Sequence, residues 1–256
     1  MRTKGFIHII LGSFLLVSIS APSQVSANER LDLFQDSNTH NTSNPLSWWL
    51  LGATLTGVGV ATQFDESVRN SVQNNSSLRS DKLAALGNQW AELGGAVFTL
   101  GMWGFGEAQH NTAWMATSTT MFQSALVASL TSRMIKIGGG RLRPYQTDSS
   151  DQWMYGGSSF PSGHTTQAFA LSTAFAESVP NPSFARRGIA YSLAFATAYA
   201  RIHDNKHWLS DTIAGGVIGV VTAMSVVYVN ERGQDWTVLI TPDDEQNLQL
   251  SLTSHF

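Results

Sequence analysis

A chain of 256 residues with a formal net charge of −3 has no excess of positive charge for nucleic acids, so we expect no nucleic-acid partner. It contains no cysteine and therefore needs no disulfide in an oxidising compartment. A mean hydropathy of −0.05 disfavours a bundle of six membrane spans, and the length allows one large domain or two small ones.

The N-terminus has the pattern of a secretory signal. Two basic residues precede the apolar stretch Phe6–Ile19, and Val25-Ser26-Ala27 is typical of a cleavage site. The sequence therefore predicts a signal peptide over residues 1–27, a single domain over residues 28–256, and export to the bacterial periplasm or cell envelope. The alternative is an uncleaved membrane anchor, which the polar, proline-containing stretch after Ser20 disfavours.

Apolar residues recur at three- and four-residue steps along most of the chain, which predicts helices. The predicted helices cover residues 45–62, 66–72, 81–105, 114–137, 165–177, 183–201 and 208–229. Beyond them, alternating residues on both sides of Pro242-Asp243-Asp244 predict a β-hairpin. We therefore expect an all-α fold, a bundle of about six core helices with a small C-terminal β-hairpin.

Two of the predicted helices are apolar enough to raise the question of a membrane. Trp48–Thr62 and Thr212–Val229 lie near or below the ~20 residues that a bilayer requires. They are rich in small residues, which also suits closely packed core helices. We favour a soluble helical domain or one in peripheral contact with a membrane.

Three short stretches carry chemically reactive side chains: Lys136–Pro144, Phe160–His164 and Arg201–Asp211. In the second stretch, a proline, a serine and a glycine precede an apolar helical run, which is typical of a helix N-terminus. Helix N-termini favour bound anions. Four basic and no acidic residues lie between Glu107 and Asp148, which indicates a local anion site.

These side chains provide what phosphoryl transfer requires without a metal or another cofactor. Positive charge, donors for the phosphoryl oxygens and two histidines that titrate near neutral pH are all present. An aspartate four residues after the second histidine would share a helix face with it and fix its tautomer. The candidate residues are Lys136, Arg143, Ser162, Gly163 and Arg201 for phosphate binding, and His164, His207 and Asp211 for catalysis.

The spacing Lys136-x6-Arg143-Pro144, Pro161-Ser162-Gly163-His164 and Arg201-x5-His207-x3-Asp211 resembles the three signature motifs of the type 2 phosphatidic acid phosphatase superfamily. This superfamily includes bacterial class A acid phosphatases, lipid phosphate phosphatases and vanadium haloperoxidases. One position departs from the pattern, because Ala200 precedes the third-motif arginine where the family often has serine.

The resemblance implies a role for each motif residue. His207 would attack phosphorus to form a phosphohistidine, Asp211 would orient it, and His164 would protonate the leaving oxygen and then activate water. The remaining five candidates would hold the phosphoryl oxygens. It implies an exported, metal-independent phosphatase of phosphomonoesters or lipid (di)phosphates, with residues 28–256 as one domain of this superfamily.

Two alternatives from other classes remain open. A vanadate-dependent haloperoxidase would use the same anion site for its cofactor. A non-catalytic envelope protein would bind phosphate or lipid headgroups without turnover. The sequence leaves the substrate open, since lipid phosphates, undecaprenyl diphosphate, nucleotides and sugar phosphates would all suit the same site, and it leaves the oligomeric state open too.

Residues outside the signature positions carry weaker expectations. His203 and His207 form H-x3-H, which on a helix face could bind zinc, but no third ligand has convincing spacing. Arg141 is expected to face solvent or to support the site rather than to contact phosphate. Trp48, Trp49, Trp90, Trp103 and Trp114 are expected in the core, with Trp153 and Tyr155 at the pocket rim.

Overall fold

The computed structural model describes residues 56–178, 183–231, 235–242 and 248–255, the last two ranges by their backbone alone. The α-helices in that part of the chain are α1 (Asp65–Asn74), α2 (Leu78–Gln89), α3 (Gly95–Ala108), α4 (Thr112–Gly139), α5 (Gly163–Glu177), α6 (Phe184–His203) and α7 (Leu209–Glu231). Residues 56–62 are also helical. The all-α prediction is confirmed for this helical body, whereas the predicted signal peptide and most of the first predicted helix lie outside the described residues.

The helix predicted over residues 81–105 is interrupted. A π-helical segment, Trp90–Gly94, joins α2 to α3. The three- and four-residue spacing of apolar residues continues even where one helical turn contains an extra residue. The sequence therefore predicts a single helix here. Ser77 caps the start of α2 with its side chain, and Asn111 does the same for α4.

The centre of the bundle is α5, which packs against α4, α6 and α7. Its buried side chains are mostly Ala, Ser and Thr, so neighbouring backbones approach closely. At the crossing with α7, a Cβ on Gly219 would lie 2.4 Å from the carbonyl oxygen of Thr166. The small residues of both helices therefore bring the start of α5 against the start of α7.

The chain leaves α4 through Gly140, which has a φ of 54°. This left-handed conformation suits glycine and ends the helix, as the three consecutive glycines predict. The turn sends Arg141–Pro144 back along the end of the bundle, toward the first residues of α5 and α7.

After α7, two strands pair in antiparallel register, β1 (Asp235–Pro242) and β2 (Leu248–His255), with Leu239 opposite Ser251. The segment that joins them, residues 243–247, lies outside the described residues. The predicted hairpin therefore stays a prediction.

Among the described helices, α7 alone meets the length and hydropathy of a membrane-crossing helix, with 44% of its most apolar window buried. The core helix of a water-soluble protein can have the same length and composition. The buried side of α7 packs against α5 and α4.

Candidate active site

The second and third motifs are joined directly by backbone contacts. Ser162 is the N-cap of α5, and its N–H donates to the carbonyl oxygen of Asp211 at 3.0 Å. A Cβ on Gly215 would lie 2.6 Å from the carbonyl oxygen of Ser162, so only glycine permits this approach. The N-terminus of α5 is thereby fixed beside the first turn of α7.

His207 and Asp211 lie close together in the protein interior. Nδ1 of His207 is 3.6 Å from Oδ2 of Asp211, and the two side chains are 3% and 0% exposed. This distance exceeds a hydrogen bond, although such contacts often shorten when substrate binds. The prediction that His207 and Asp211 share a helix face is only partly right, because His207 precedes α7, which begins at Leu209.

Several donors fix the carboxylate of Asp211. Its Oδ2 accepts from the Ser159 hydroxyl and from the Trp208 N–H, and its Oδ1 accepts from Arg141 at 2.7 Å. Burial acts to raise the pKa of Asp211, but the nearby His207 ring, Arg141 and Ser159 hold it below its usual value. Asp211 is therefore a carboxylate aimed at Nδ1 of His207.

The two histidines are both held neutral. Burial lowers the pKa of His207, while Asp211 acts in the opposite direction. Burial also lowers the pKa of His164 to about 4, and the charges of Arg201 and His207 contribute. His164 is the second residue of α5, whose N-terminus is fixed beside the first turn of α7 that carries Asp211.

The arginines of the first and third motifs have donors without an intramolecular partner. Among the described residues, Nε of Arg143 and Nε of Arg201 are buried and make no hydrogen bond within the chain. Unpaired buried donors are rare in folded proteins, so these two are candidates to bind an acceptor that is not part of the chain. Arg201 is 1% exposed, and its NH2 group lies 3.4 Å from the Asp204 carboxylate.

The side chains of Lys136 and Ser162 already make polar contacts within the chain. Nζ of Lys136 donates to the carbonyl oxygens of Ser158 and Pro161, at 2.6 and 2.8 Å. Burial, with Arg143 nearby, lowers the pKa of Lys136 to about 8. The Ser162 hydroxyl is fully buried and 3.0 Å from that of Thr165, and Gly163 is the first residue of α5. Both motifs thus converge on the same helix N-terminus.

Of the two alternatives expected for Arg141, the structure favours support of the site, because its side chain is fully buried rather than solvent-facing. It makes ion pairs with Asp65 at 2.6 Å and with Asp211 at 2.7 Å. Its guanidinium carbon also lies 4.5 Å from the ring centroid of Trp153. Trp153 therefore covers this arginine, whereas Tyr155 is 66% exposed.

The residues that sequence reasoning missed lie on α1. Asp65 accepts hydrogen bonds from Arg141 and Ser210, and Glu66 accepts from the Ser150 N–H. Arg69 donates to the Pro144 carbonyl and to the Asn205 side chain. Acidic residues at a helix start are common, so the sequence carries no signal for these contacts.

The zinc alternative and one aromatic prediction do not fit the geometry. His203 ends α6 and lies against Asp81 and Asp204, so it does not share a helix face with His207. Within the described ranges, no three His, Asp or Glu side chains converge as metal ligands. The core prediction is wrong for Trp114, which is 44% exposed; Trp48 and Trp49 lie outside the described residues.

The three motifs and the helices around them correspond to a known family model. The PAP2 superfamily model matches residues 114–234, just under half of the chain, and these residues contain every signature position. The resemblance found in the motifs is thereby confirmed.

One known protein is similar to this chain over part of its length. A lipid A 1-phosphatase of Porphyromonas gingivalis is 33% identical over 125 residues, which are 48% of this chain and 26% of that protein. The chain thus matches about a quarter of the curated relative's length.

Two crystal structures are similar in fold. A transmembrane PAP2 type phosphatidylglycerolphosphate phosphatase from Bacillus subtilis has a TM-score of 0.55 and 15% identity, covering 70% of this chain and 95% of that one. LpxE of Aquifex aeolicus has a TM-score of 0.46 and 18% identity, covering 64% and 95% of the two chains. The first of these supports the helical fold.

Proposed function

We propose that this protein is a phosphatase of the cell envelope that hydrolyses lipid phosphates or related phosphomonoesters through a phosphohistidine, without a metal ion. The observation that carries the proposal is the approach of His207 to Asp211, together with the buried Nε donors of the motif residues Arg143 and Arg201, which have no partner among the described residues. Those donors suit the oxygens of a phosphoryl group, and the imidazole suits attack on its phosphorus.

In the first step, Nε2 of His207 attacks phosphorus and the bond to the leaving oxygen breaks. The Asp211 carboxylate near Nδ1 stabilises the positive charge that develops on the ring. His164 gives its proton to the leaving oxygen. A bound phosphate dianion favours the protonated form of His164, which offsets the low pKa of about 4 in the free protein.

In the second step, His164 is neutral and accepts a proton from water. The resulting hydroxide attacks phosphorus, the bond between nitrogen and phosphorus breaks, and inorganic phosphate leaves. Lys136, Arg143 and Arg201 stabilise the equatorial oxygens in both steps, together with Ser162 and the Gly163 N–H.

The relatives narrow the substrate class that we propose. One is named for lipid A and the other for phosphatidylglycerolphosphate, and both substrates place a phosphate at a membrane surface. α7 is long and apolar, which supports contact with a membrane. Export through residues 1–27 would place the site in the periplasm or on the envelope, where such lipids occur.

His207→Ala tests this function. We expect loss of turnover with retained helicity, measured on lipid phosphates in mixed micelles and on a soluble phosphomonoester. The wild-type chain should yield an acid-labile phosphohistidine after a quench and should stay active with a chelator. The exposed His110, changed to Ala, serves as control. Equal hydrolysis by the His207→Ala variant would overturn the proposal.

A further inference from the structure

A buried chain of alternating charges extends from α1 to the catalytic aspartate. Asp65, Arg141 and Asp211 have fully buried side chains, joined by contacts of 2.6 and 2.7 Å. Breaking one link of a buried ion pair is costly, since it leaves an uncompensated charge. Asp65 therefore determines where Arg141 can lie.

Arg141 has its donors committed in a single geometry. NH1 donates to Ser210 and Asp211, NH2 donates to Asp65 and the Ser150 carbonyl, and Nε donates to that same carbonyl. The rings of Trp153 and Trp208 lie against the guanidinium at 4.5 and 5.5 Å from their centroids. A planar fork held in this way cannot rotate without breaking several contacts.

Asp65 also acts on the start of α7. Its Oδ1 accepts from the Ser210 N–H at 2.8 Å and its Oδ2 from the Ser210 hydroxyl at 2.7 Å. A carboxylate here compensates unpaired N–H groups at a helix N-terminus. The same residue thus supports the turn that carries Asp211 and the arginine that binds it.

We propose that Asp65 and Arg141 are positioning residues, which hold the Asp211 carboxylate against His207. Asp65 does so from α1, a helix that precedes the PAP2 match of residues 114–234. Only the expected change in kcat rests on the proposed function; the effect on the position of Asp211 does not. Neither residue contacts the phosphoryl group, so both act on the rate of the chemical step rather than on phosphate binding.

Asp65→Asn and Arg141→Lys test the proposal. Asp65→Asn keeps the shape of the side chain but loses an acceptor for Arg141, and Arg141→Lys keeps the charge but loses the fork. We expect kcat to fall by about 10- to 100-fold for each, with inorganic phosphate binding changed less than about threefold. Gln73→Ala is the matched control, because Gln73 ties the same helix α1 to the carbonyl oxygens of Ile202 and His203 and, among the described residues, makes no hydrogen bond to Asp65, Arg141 or Asp211.

A titration of His207 by NMR in 13C-histidine-labelled protein adds a readout that a structural role would not move. The described charged and titratable groups that act on this ring, or are connected to it through Asp211, are Asp65, Lys136, Arg141, Arg143, His164, Arg201 and Asp211. Asp65→Asn removes a negative charge, so the midpoint of His207 should move to lower pH. Arg141→Lys keeps the charge and should leave the midpoint nearly unchanged.

The outcomes separate this inference from the proposed function. A lower melting temperature with kcat and the His207 midpoint unchanged would overturn it, and so would equal losses of kcat and phosphate affinity. Should a single variant fail to fold, the double variant Asp65→Asn/Arg141→Gln removes the pair together and should show the same loss of kcat. If the wild-type chain hydrolyses nothing, the proposed function fails, and the shift of the His207 midpoint alone decides whether Asp65 acts on the site.

Discussion

At the scale of single residues, burial and charge assign different states to the basic groups of the site. Burial lowers the pKa of both His164 and His207 and holds the two rings neutral. Burial and the nearby Arg143 lower the pKa of Lys136 to about 8. The site therefore has a cation that can lose its proton within the range of an enzyme assay.

The fall of kcat/KM at alkaline pH should reflect the deprotonation of Lys136. A lowered pKa means that the ammonium is present below about pH 8 and is lost as the pH rises through that value. We expect kcat/KM to fall about tenfold per pH unit above this point, because a neutral amine no longer stabilises the phosphoryl oxygens.

Lys136→Arg is the matched variant, since a guanidinium stays protonated. Its alkaline limb should move up by more than about one pH unit, even if its activity at pH 7 is lower. If kcat/KM of this variant still falls at the same pH, the fall is caused by a group other than Lys136. The measurement is kcat/KM between pH 6 and about 10 with a soluble phosphomonoester.

At the scale of helices, glycine positions on α7 determine how closely the motifs approach each other. Gly215 and Gly219 face the backbone of α5, while Gly216 faces the ring of Phe169 at 3.4 Å. The first two sites have no room for a methyl group, and the third has ordinary contact distance. The approach of α7 to α5 therefore depends on particular glycines.

Gly219→Ala and Gly216→Ala form a matched pair on one helix. A Cβ at position 219 would lie 2.4 Å from a main-chain carbonyl oxygen, so we expect a loss of about 1–3 kcal/mol in the free energy of unfolding. Gly216→Ala should be neutral or stabilising, because alanine favours helix by about 1 kcal/mol over glycine. Urea unfolding followed by circular dichroism measures both, and equal stability of the two variants would contradict this packing.

The helices and motifs were predictable from sequence to different degrees. Periodicity places α4–α7 within a few residues, because each has a long apolar pattern and a clear stop such as Gly140. Motif spacing selects the residues around His207, since each type has a defined chemical use. The ion pair of Asp65 with Arg141 spans 76 residues, and only the tertiary fold brings its partners together. The π-helical segment could not be predicted from the sequence either, because one extra residue in a turn leaves the apolar face intact.

At the scale of the whole molecule, a stripe of large apolar residues lies on the outer face of the helices that follow α2. Leu93, Val97 and Leu100 are 66, 57 and 63% exposed in the described part of the chain. They recur at four- and three-residue steps, and no charged residue lies between Leu93 and Gly106. Exposed apolar stripes of this kind are typical of contact with a membrane or a partner.

Replacing the apolar residues of this stripe should lower the hydrolysis of lipid phosphates in a membrane but not that of soluble phosphomonoesters. In the triple variant Leu93→Ser, Val97→Ser, Leu100→Ser, we expect kcat/KM for a lipid phosphate in phospholipid vesicles to fall by about tenfold or more. Burial of one such side chain is worth about 1.5–3 kcal/mol, so even partial insertion of three has this effect. Hydrolysis of a soluble phosphomonoester should stay within about twofold, because the stripe lies outside the motifs.

Leu78→Ser provides the control for this measurement, since Leu78 is 71% exposed but stands apart from the stripe. Co-sedimentation with the same vesicles, measured on the chain from Asn28 onward, reports the membrane contact directly. Parallel losses on the lipid and the soluble substrate would mean that the substitutions disturb the site itself. An unchanged rate on vesicles would leave the stripe outside the lipid contact and direct attention to the outer face of α7, where Val221 and Met224 are also exposed.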